Sequence, residues 1–205
     1  MPGFTLQTEA FVLLKQPPAD SFQTFTVFSA GHGVLPVLQR MPKKNAAGAG
    51  ALDLFDEVAL LLESSNQGRT WFVREPRLLV RHEGIGRNYD SLRFASALAL
   101  LVARNPVADE SRPAVAALLR AAFAAFAAAA RPDAVYFKSL YRFARDEGYP
   151  VKQDWLARLP SRQRAAAGEV LNQPVAEQTS APAALGLLIG RLEAYLGAHT
   201  EILLE

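Results

Sequence analysis

Hydrophobic and polar positions follow two different rhythms along this chain. Through the first eighty or so residues the pattern is that of strands. "TEAFVLLKQ" is a β-rich run closed by Pro17-Pro18, which cannot continue a ladder. "SFQTFTVFSA" alternates: Phe22, Thr24, Thr26 and Phe28 share one parity, and Gln23, Phe25 and Val27 share the other. Both faces are partly apolar, as in a small closed barrel. "AGHG" is a turn, because glycine tolerates positive φ. "VLPVLQR" is the returning strand of a hairpin, with Pro36 placing it at an edge or a bulge. "LDLFDEVALLLES" fits strand or helix by periodicity; the "SNQG" turn and the aromatic, β-branched "RTWFVREPRLL" that follow favour strand. About five strands in this length fit a small Greek-key barrel of the OB type.

From "RHEGIGRN", Arg81 to Asn88, the rhythm becomes helical. "NYDSLRFASALALLVARN" places Leu92, Ala95, Leu98, Ala99 and Val102 on one stripe, with Asp90 or Asn88 as cap and Asn105-Pro106 as stop. "SRPAVAALLRAAFAAFAAAA" carries proline in its first turn, and its alanines allow close packing. "DAVYFKSLYRFARDEG" is predicted to start at Asp133 as cap and to stop at Gly148. "PSRQRAAAGEVLNQP" is a shorter helix. "APAALGLLIGRLEAYLGAH" is the last, with apolar spacing through Leu185, Leu188, Ile189, Leu192 and Leu196. The expected class is therefore α+β. An N-terminal OB-type five-stranded barrel over 1–82 precedes an all-α helical domain over 83–205.

Composition narrows the chemistry. The chain has 205 residues, half of them hydrophobic, which is enough for one large domain or two small ones. The formal net charge is +2, so any basic footprint must come from placement rather than excess. With no cysteine, disulfides and thiolate metal sites are impossible. No basic segment precedes the short apolar run of "MPGFTLQTEAFVLLKQ", so no signal peptide is expected. The Ala-rich "AVAALLRAAFAAFAAAA" is broken by Arg120 and reads as a buried helix, not a membrane span. A soluble cytoplasmic protein is the expectation.

Catalytic motifs are missing. "NAAGAGALD" lacks the Lys-Ser or Lys-Thr of a phosphate loop, and "GIGRNY" is too short for a dinucleotide fingerprint. His32, His82 and His199 are far apart in sequence and have no ligand spacing. There is no G-x-S-x-G. Asp56 and Glu57 are neighbours that face opposite ways in a strand, which suits structural or solvated carboxylates. No enzyme, no cofactor and no metal is expected.

The basic residues of 1–82 number 8 against 7 acids: Lys15, Arg40, Lys43, Lys44, Arg69, Arg74, Arg77 and Arg81. Arg40, Lys43 and Lys44 cluster in "LQRMPKKNAAGAG" at a strand end, where a barrel of this type presents a loop beside its single-strand face. Phe22, Phe25, Phe28, Phe55, Trp71 and Phe72 are interleaved, most of them expected in the core and some able to stack bases. Arg69, Arg74 and Arg81 extend the track if their strand faces the same groove. The bland alternative for the cluster is a solvated loop. The alternative for the whole chain is a non-catalytic OB-helical interaction scaffold that binds no DNA.

At these residues the chain resembles the RecO family, bacterial mediators of recombination and DNA repair. "TEAFVLLKQ" is similar to the family's opening strand. "TFTVFSAGHGVLPVLQRMPKKNAAGAGAL" is similar to its strand, T-x-x-x-G turn (with four residues between Thr26 and Gly31 here), strand and basic loop before Leu-x-x-Phe, the last places filled by Leu52 and Phe55. "YFKSLYRFARDEGYP" resembles its hallmark helix, ending in Glu147-Gly148-Tyr149-Pro150 where the family has x-x-G-x-x-P, so with one residue fewer between Gly and Pro, and "LPSRQRAAAGEVLNQP" and "RLEAYLGAH" resemble its closing helices. Many members carry a four-cysteine zinc module after the Gly-x-x-Pro element; "VKQDWLARLPS" stands there instead. The resemblance implies a non-catalytic protein that binds single- and double-stranded DNA, promotes strand annealing and assists recombinase loading on protein-coated gaps. It implies RecR and single-strand-binding protein as partners. Arg142 or Arg145 on the helical half would be available to a partner's acidic terminus.

Overall fold

The computed structural model describes residues 4–19, 21–41, 51–64, 66–128 and 131–204. The chain divides into two compact units, Met1–His82 and Glu83–Glu205. The first is a closed five-stranded barrel and the second is helical, so the class is α+β.

The barrel strands are β1 (Phe4–Lys15), β2 (Phe22–Ser29), β3 (Gly33–Arg40), β4 (Glu57–Ser64) and β5 (Trp71–Val80). They close in the order β1-β2-β3-β5-β4, with β3 and β5 parallel and the other neighbours antiparallel. β1 is long because it serves two partners. Phe4 to Phe11 pair with β4, and Phe11 to Lys15 pair with β2. A register shift between Val12 and Leu14 bends the strand at the hand-over, the geometry by which a bulge closes a sheet. Pro36 falls where β3 has β2 on one flank, just short of the two-residue pairing with β5. Its missing N–H therefore breaks no ladder bond to β5.

Alternation fills the barrel. Ala10, Val12, Phe25, Val27, Val37, Leu52, Val58, Leu60 and Leu62 form one buried cluster, with Leu6, Leu35, Trp71 and Val73 packed against it. Each fully buried Val, Leu or Phe among them contributes about 1.5–3 kcal/mol on removal from water. The turn between β4 and β5 needs left-handed backbone at two successive residues, Gln67 (φ 61) and Gly68 (φ 82). Ser64 Oγ accepts from Gly68 N at 2.9 Å, and Asn66 Oδ1 accepts from Thr70 N at 2.9 Å.

The strand expected from Leu52 begins only at Glu57; Ala51 to Asp56 is irregular. The cause is local. Phe55 adopts φ 66, costly for a bulky side chain, so the chain cannot run straight through it. Val12 holds the kink from the barrel side: Phe55 N donates to Val12 O at 2.9 Å, and Val12 N donates to Asp56 O at 2.9 Å. Leu52 and Phe55 are both buried, which offsets the backbone strain.

The helical unit comprises α1 (Tyr89–Arg104), α2 (Arg112–Ala128), α3 (Pro132–Asp146), α4 (Ser161–Asn172) and α5 (Pro182–His199). A 3-10 turn, Ile85–Arg87, precedes α1. Asn88 is the α1 cap, its Oδ1 accepting from Ser91 N at 3.0 Å. Leu92, expected on the buried stripe, is 38% exposed; Ser91, Phe94, Ala95, Leu98, Leu101 and Val102 make the true face. α3 is buried nearly all round and packs against the other four helices, as a central helix must. It starts at Pro132, so Asp133 lies inside the first turn rather than at the cap. Gly148 (φ 88) ends it: Gly148 N donates to Arg145 O and Tyr149 N to Ala144 O, both at 3.0 Å, a Schellman pair. A single π turn, Val151–Trp155, follows, seating Trp155 near the rings of Phe137 and Tyr141. In α5, Leu185, Leu188, Ile189, Leu192 and Leu196 are all buried, as their spacing predicts. Buried Asn105 pins the chain end to α1: its Nδ2 donates to Leu101 O and Leu203 O, and its Oδ1 accepts from Leu203 N. Among the described residues no helix is long and apolar enough to cross a membrane.

Candidate nucleic-acid interface

The outer face of β2, β3, β5 and β4 carries a short row of side chains fixed by register. Phe25, Val27, Val37, Trp71 and Val73 point into the barrel, so their alternates point out. Cross-strand pairing then sets Thr24 beside Leu38, Leu38 beside Phe72, and Phe72 beside Glu63. One step along, Phe22 pairs with Arg40. The rings of Phe22 and Phe72 meet edge to face, centroids 5.6 Å apart at 65°. Both are half-buried, while Phe25, Phe28 and Phe55 are buried. Of the six aromatics singled out in this half, these two offer ring surface on that outer face.

The candidate cations divide sharply. Arg40 ends β3, is exposed, and makes no ion pair with a described residue. Arg69 is exposed in the β4–β5 turn and likewise makes none. Arg74 is the extra residue of a bulge: Leu62 pairs with Val73 and Leu61 with Glu75, leaving Arg74 between them. A bulge re-aims its side chain, and Arg74 Nε reaches Glu63 Oε2 at 2.7 Å. Arg81 grips Asp56 with two nitrogens, Nε to Oδ1 at 2.9 Å and Nη2 to Oδ2 at 2.7 Å, and donates to Ala51 O at 3.0 Å. Asp56 is 1% exposed and also accepts from Asp53 N at 2.9 Å. Arg81 is therefore a buttress of the kinked segment before β4, and its fork is already used. Lys43 and Lys44 lie outside the described residues.

The histidines do not converge: His32 and His199 are exposed, and burial pushes the His82 imidazole below its ordinary value. Among the described residues no three His, Asp or Glu side chains gather as a metal site would require.

The helical unit has its own concavity, about 710 Å³, walled by Leu118, Ala121 and Ala125 of α2, by α3, and by Gly168 and Leu171 of α4. The alanines leave room where larger side chains would fill it. Lys138, Arg142 and Arg145 of α3 border it. Arg142 and Arg145 share one carboxylate, Asp146, at 3.3 and 2.6 Å, which leaves one positive charge over. Lys138 Nζ is occupied by the carbonyls of Val170, Leu171 and Gln173.

Sequence reasoning named Phe22 and Phe72 only among six aromatics, and it missed Leu38 and Glu63. Parity alone puts Phe22 opposite the inward residues. The meeting of Phe22 with Phe72 depends on β3 pairing in parallel with β5 across a long intervening stretch, and no local signal reports that. No protein-family model matches the chain, and no curated protein matches it in sequence.

Proposed function

We propose that this chain is a non-catalytic, cytoplasmic DNA-binding protein of the RecO type. It binds single- and double-stranded DNA, promotes strand annealing and assists recombinase loading on protein-coated gaps, with RecR and single-strand-binding protein as partners. The observation that supports this best is the half-buried Phe22–Phe72 pair on the outer face of an OB-type barrel, flanked by Arg40. That is the face on which such barrels hold oligonucleotides. Bases stack on the rings, and Arg40 and Arg69, with Lys43 and Lys44, neutralise phosphates and release counterions. The groove of the helical unit, apolar with net positive charge at Arg142 and Arg145, suits an acidic chain end of a protein partner.

The test is anisotropy of a labelled oligo(dT) across a range of salt. Phe72→Ala should weaken binding by about tenfold or more, the loss of a stacked base. Arg40→Ala should flatten the log K against log salt slope by about 0.7 per lost contact on single strands. Wild-type protein that leaves the oligonucleotide free at micromolar concentration and low salt would instead favour the interaction scaffold. That second reading has one observation behind it: Arg74 and Arg81 are already matched by carboxylates.

A further inference from the structure

The row across the barrel face ends in an acid. Thr24, Leu38 and Phe72 lead to Glu63, whose carboxylate stands directly cross-strand from the stacking ring. A carboxylate there opposes a phosphate backbone, and it holds the nearest cation at the same time. Arg74, turned out by the β5 bulge, meets it at 2.7 Å. The pair is open to solvent, 60% exposed at Arg74 and 44% at Glu63. An exposed pair of this kind is weak, about 0.2–1 kcal/mol. It adds little to folding, and an incoming phosphate can displace it.

We propose that Glu63 is a built-in counter-ion that occupies Arg74 and so lowers the affinity of the barrel face for polyanions. This deepens the DNA-binding reading above and rests on it. Its chemistry is charge compensation: the Glu63 carboxylate takes Arg74 Nε and offsets the guanidinium charge, so a backbone phosphate meets a pair close to neutral. A phosphate that contacts Arg74 therefore gains little net charge attraction while Glu63 Oε2 keeps its hydrogen bond. The result is a face that grips a strand weakly enough to release it, which suits a protein that passes strands on rather than storing them. Arg81 is different in kind. Its partner Asp56 is buried, so no phosphate can compete for that fork without leaving a buried charge unmatched.

The test titrates wild type, E63Q, R74Q and E63Q/R74Q against fluorescein-labelled oligo(dT) at several salt concentrations, with circular dichroism as the check on folding. E63Q should bind about threefold tighter near 50 mM salt, and its log K against log salt slope should steepen by about 0.7, one further phosphate contact on a single strand. That steepening should vanish in E63Q/R74Q. Wild-type binding with an unchanged E63Q overturns the counter-ion role and leaves the interface standing. A steepening that survives in E63Q/R74Q overturns it as well, because the gain then comes from lost repulsion rather than a released Arg74. Oligonucleotide left free by both wild type and E63Q removes the DNA-binding reading and this inference together. Binding by E63Q alone supports both.

Discussion

At the scale of single residues, like charges carry unlike jobs. Arg74 and Arg81 both sit on the fifth strand or just past it, and both pair with acids of the barrel. The first pair is exposed at both ends, and the second has a buried carboxylate. Burial decides their energetics. Removing Arg81 leaves the buried Asp56 charge without its cation and frees the kink at Phe55, so Arg81→Ala should cost about 2 kcal/mol or more after allowing for the partly exposed guanidinium. Arg74→Ala should cost about 0–1 kcal/mol. Urea unfolding of the two variants beside wild type checks this. Equal losses, or a larger one at Arg74, would mean that the Asp56 fork is not the brace described. The sequence listed both arginines as equivalent members of a basic track. Nothing local distinguishes them, because Asp56 lies 25 residues before Arg81 and its burial comes from the fold.

At the scale of elements, the chain was legible wherever periodicity and punctuation agreed. The β2–β3 hairpin, the "SNQG" turn, the stripe of α5 and the Gly148 stop all follow from patterns of a few residues. The misses are places where a tertiary contact overrode the pattern. The run from Leu52 looked like unbroken strand, yet Val12 and Asp56 impose a kink at Phe55. Leu92 fitted the α1 stripe, yet the fold buries Ser91 and Phe94 instead, Phe94 stacking on Tyr136 of α3. The Val151–Trp155 π turn has no signature in "VKQDW". The 3-10 turn before α1 illustrates the same rule with a glycine. A Cβ on Gly84 would lie 2.1 Å from Ala127 O, inside the α2 backbone, whereas one on Gly86 would meet nothing within 4 Å. Gly84 has φ −61, so the contact alone makes the site intolerant. Gly84→Ala should destabilise by about 1–3 kcal/mol, with the turn forced off α2. Gly86→Ala should stay within about 0.5 kcal/mol. Thermal melts of the two variants read the difference; matching melts would mean that the turn does not pack on α2 in solution.

At the scale of the whole molecule, a net charge of +2 leaves little long-range attraction for a polyanion, so the proposed recognition must be local. The barrel supplies this locality. Its strand order brings β3 and β5, remote in sequence, into contact, and so assembles Phe22, Leu38, Arg40 and Phe72 on one outer face. The candidate site is thus a property of the closed sheet, which explains why the sequence announced the cations and aromatics but not which of them meet. The most direct test is an amide NMR titration of the isotopically labelled protein with unlabelled oligo(dT). The account predicts shift changes concentrated on Phe22, Thr24, Leu38, Arg40, Glu63 and Phe72. Changes confined to residues 83–205, or an unperturbed spectrum at saturating oligonucleotide, would contradict it.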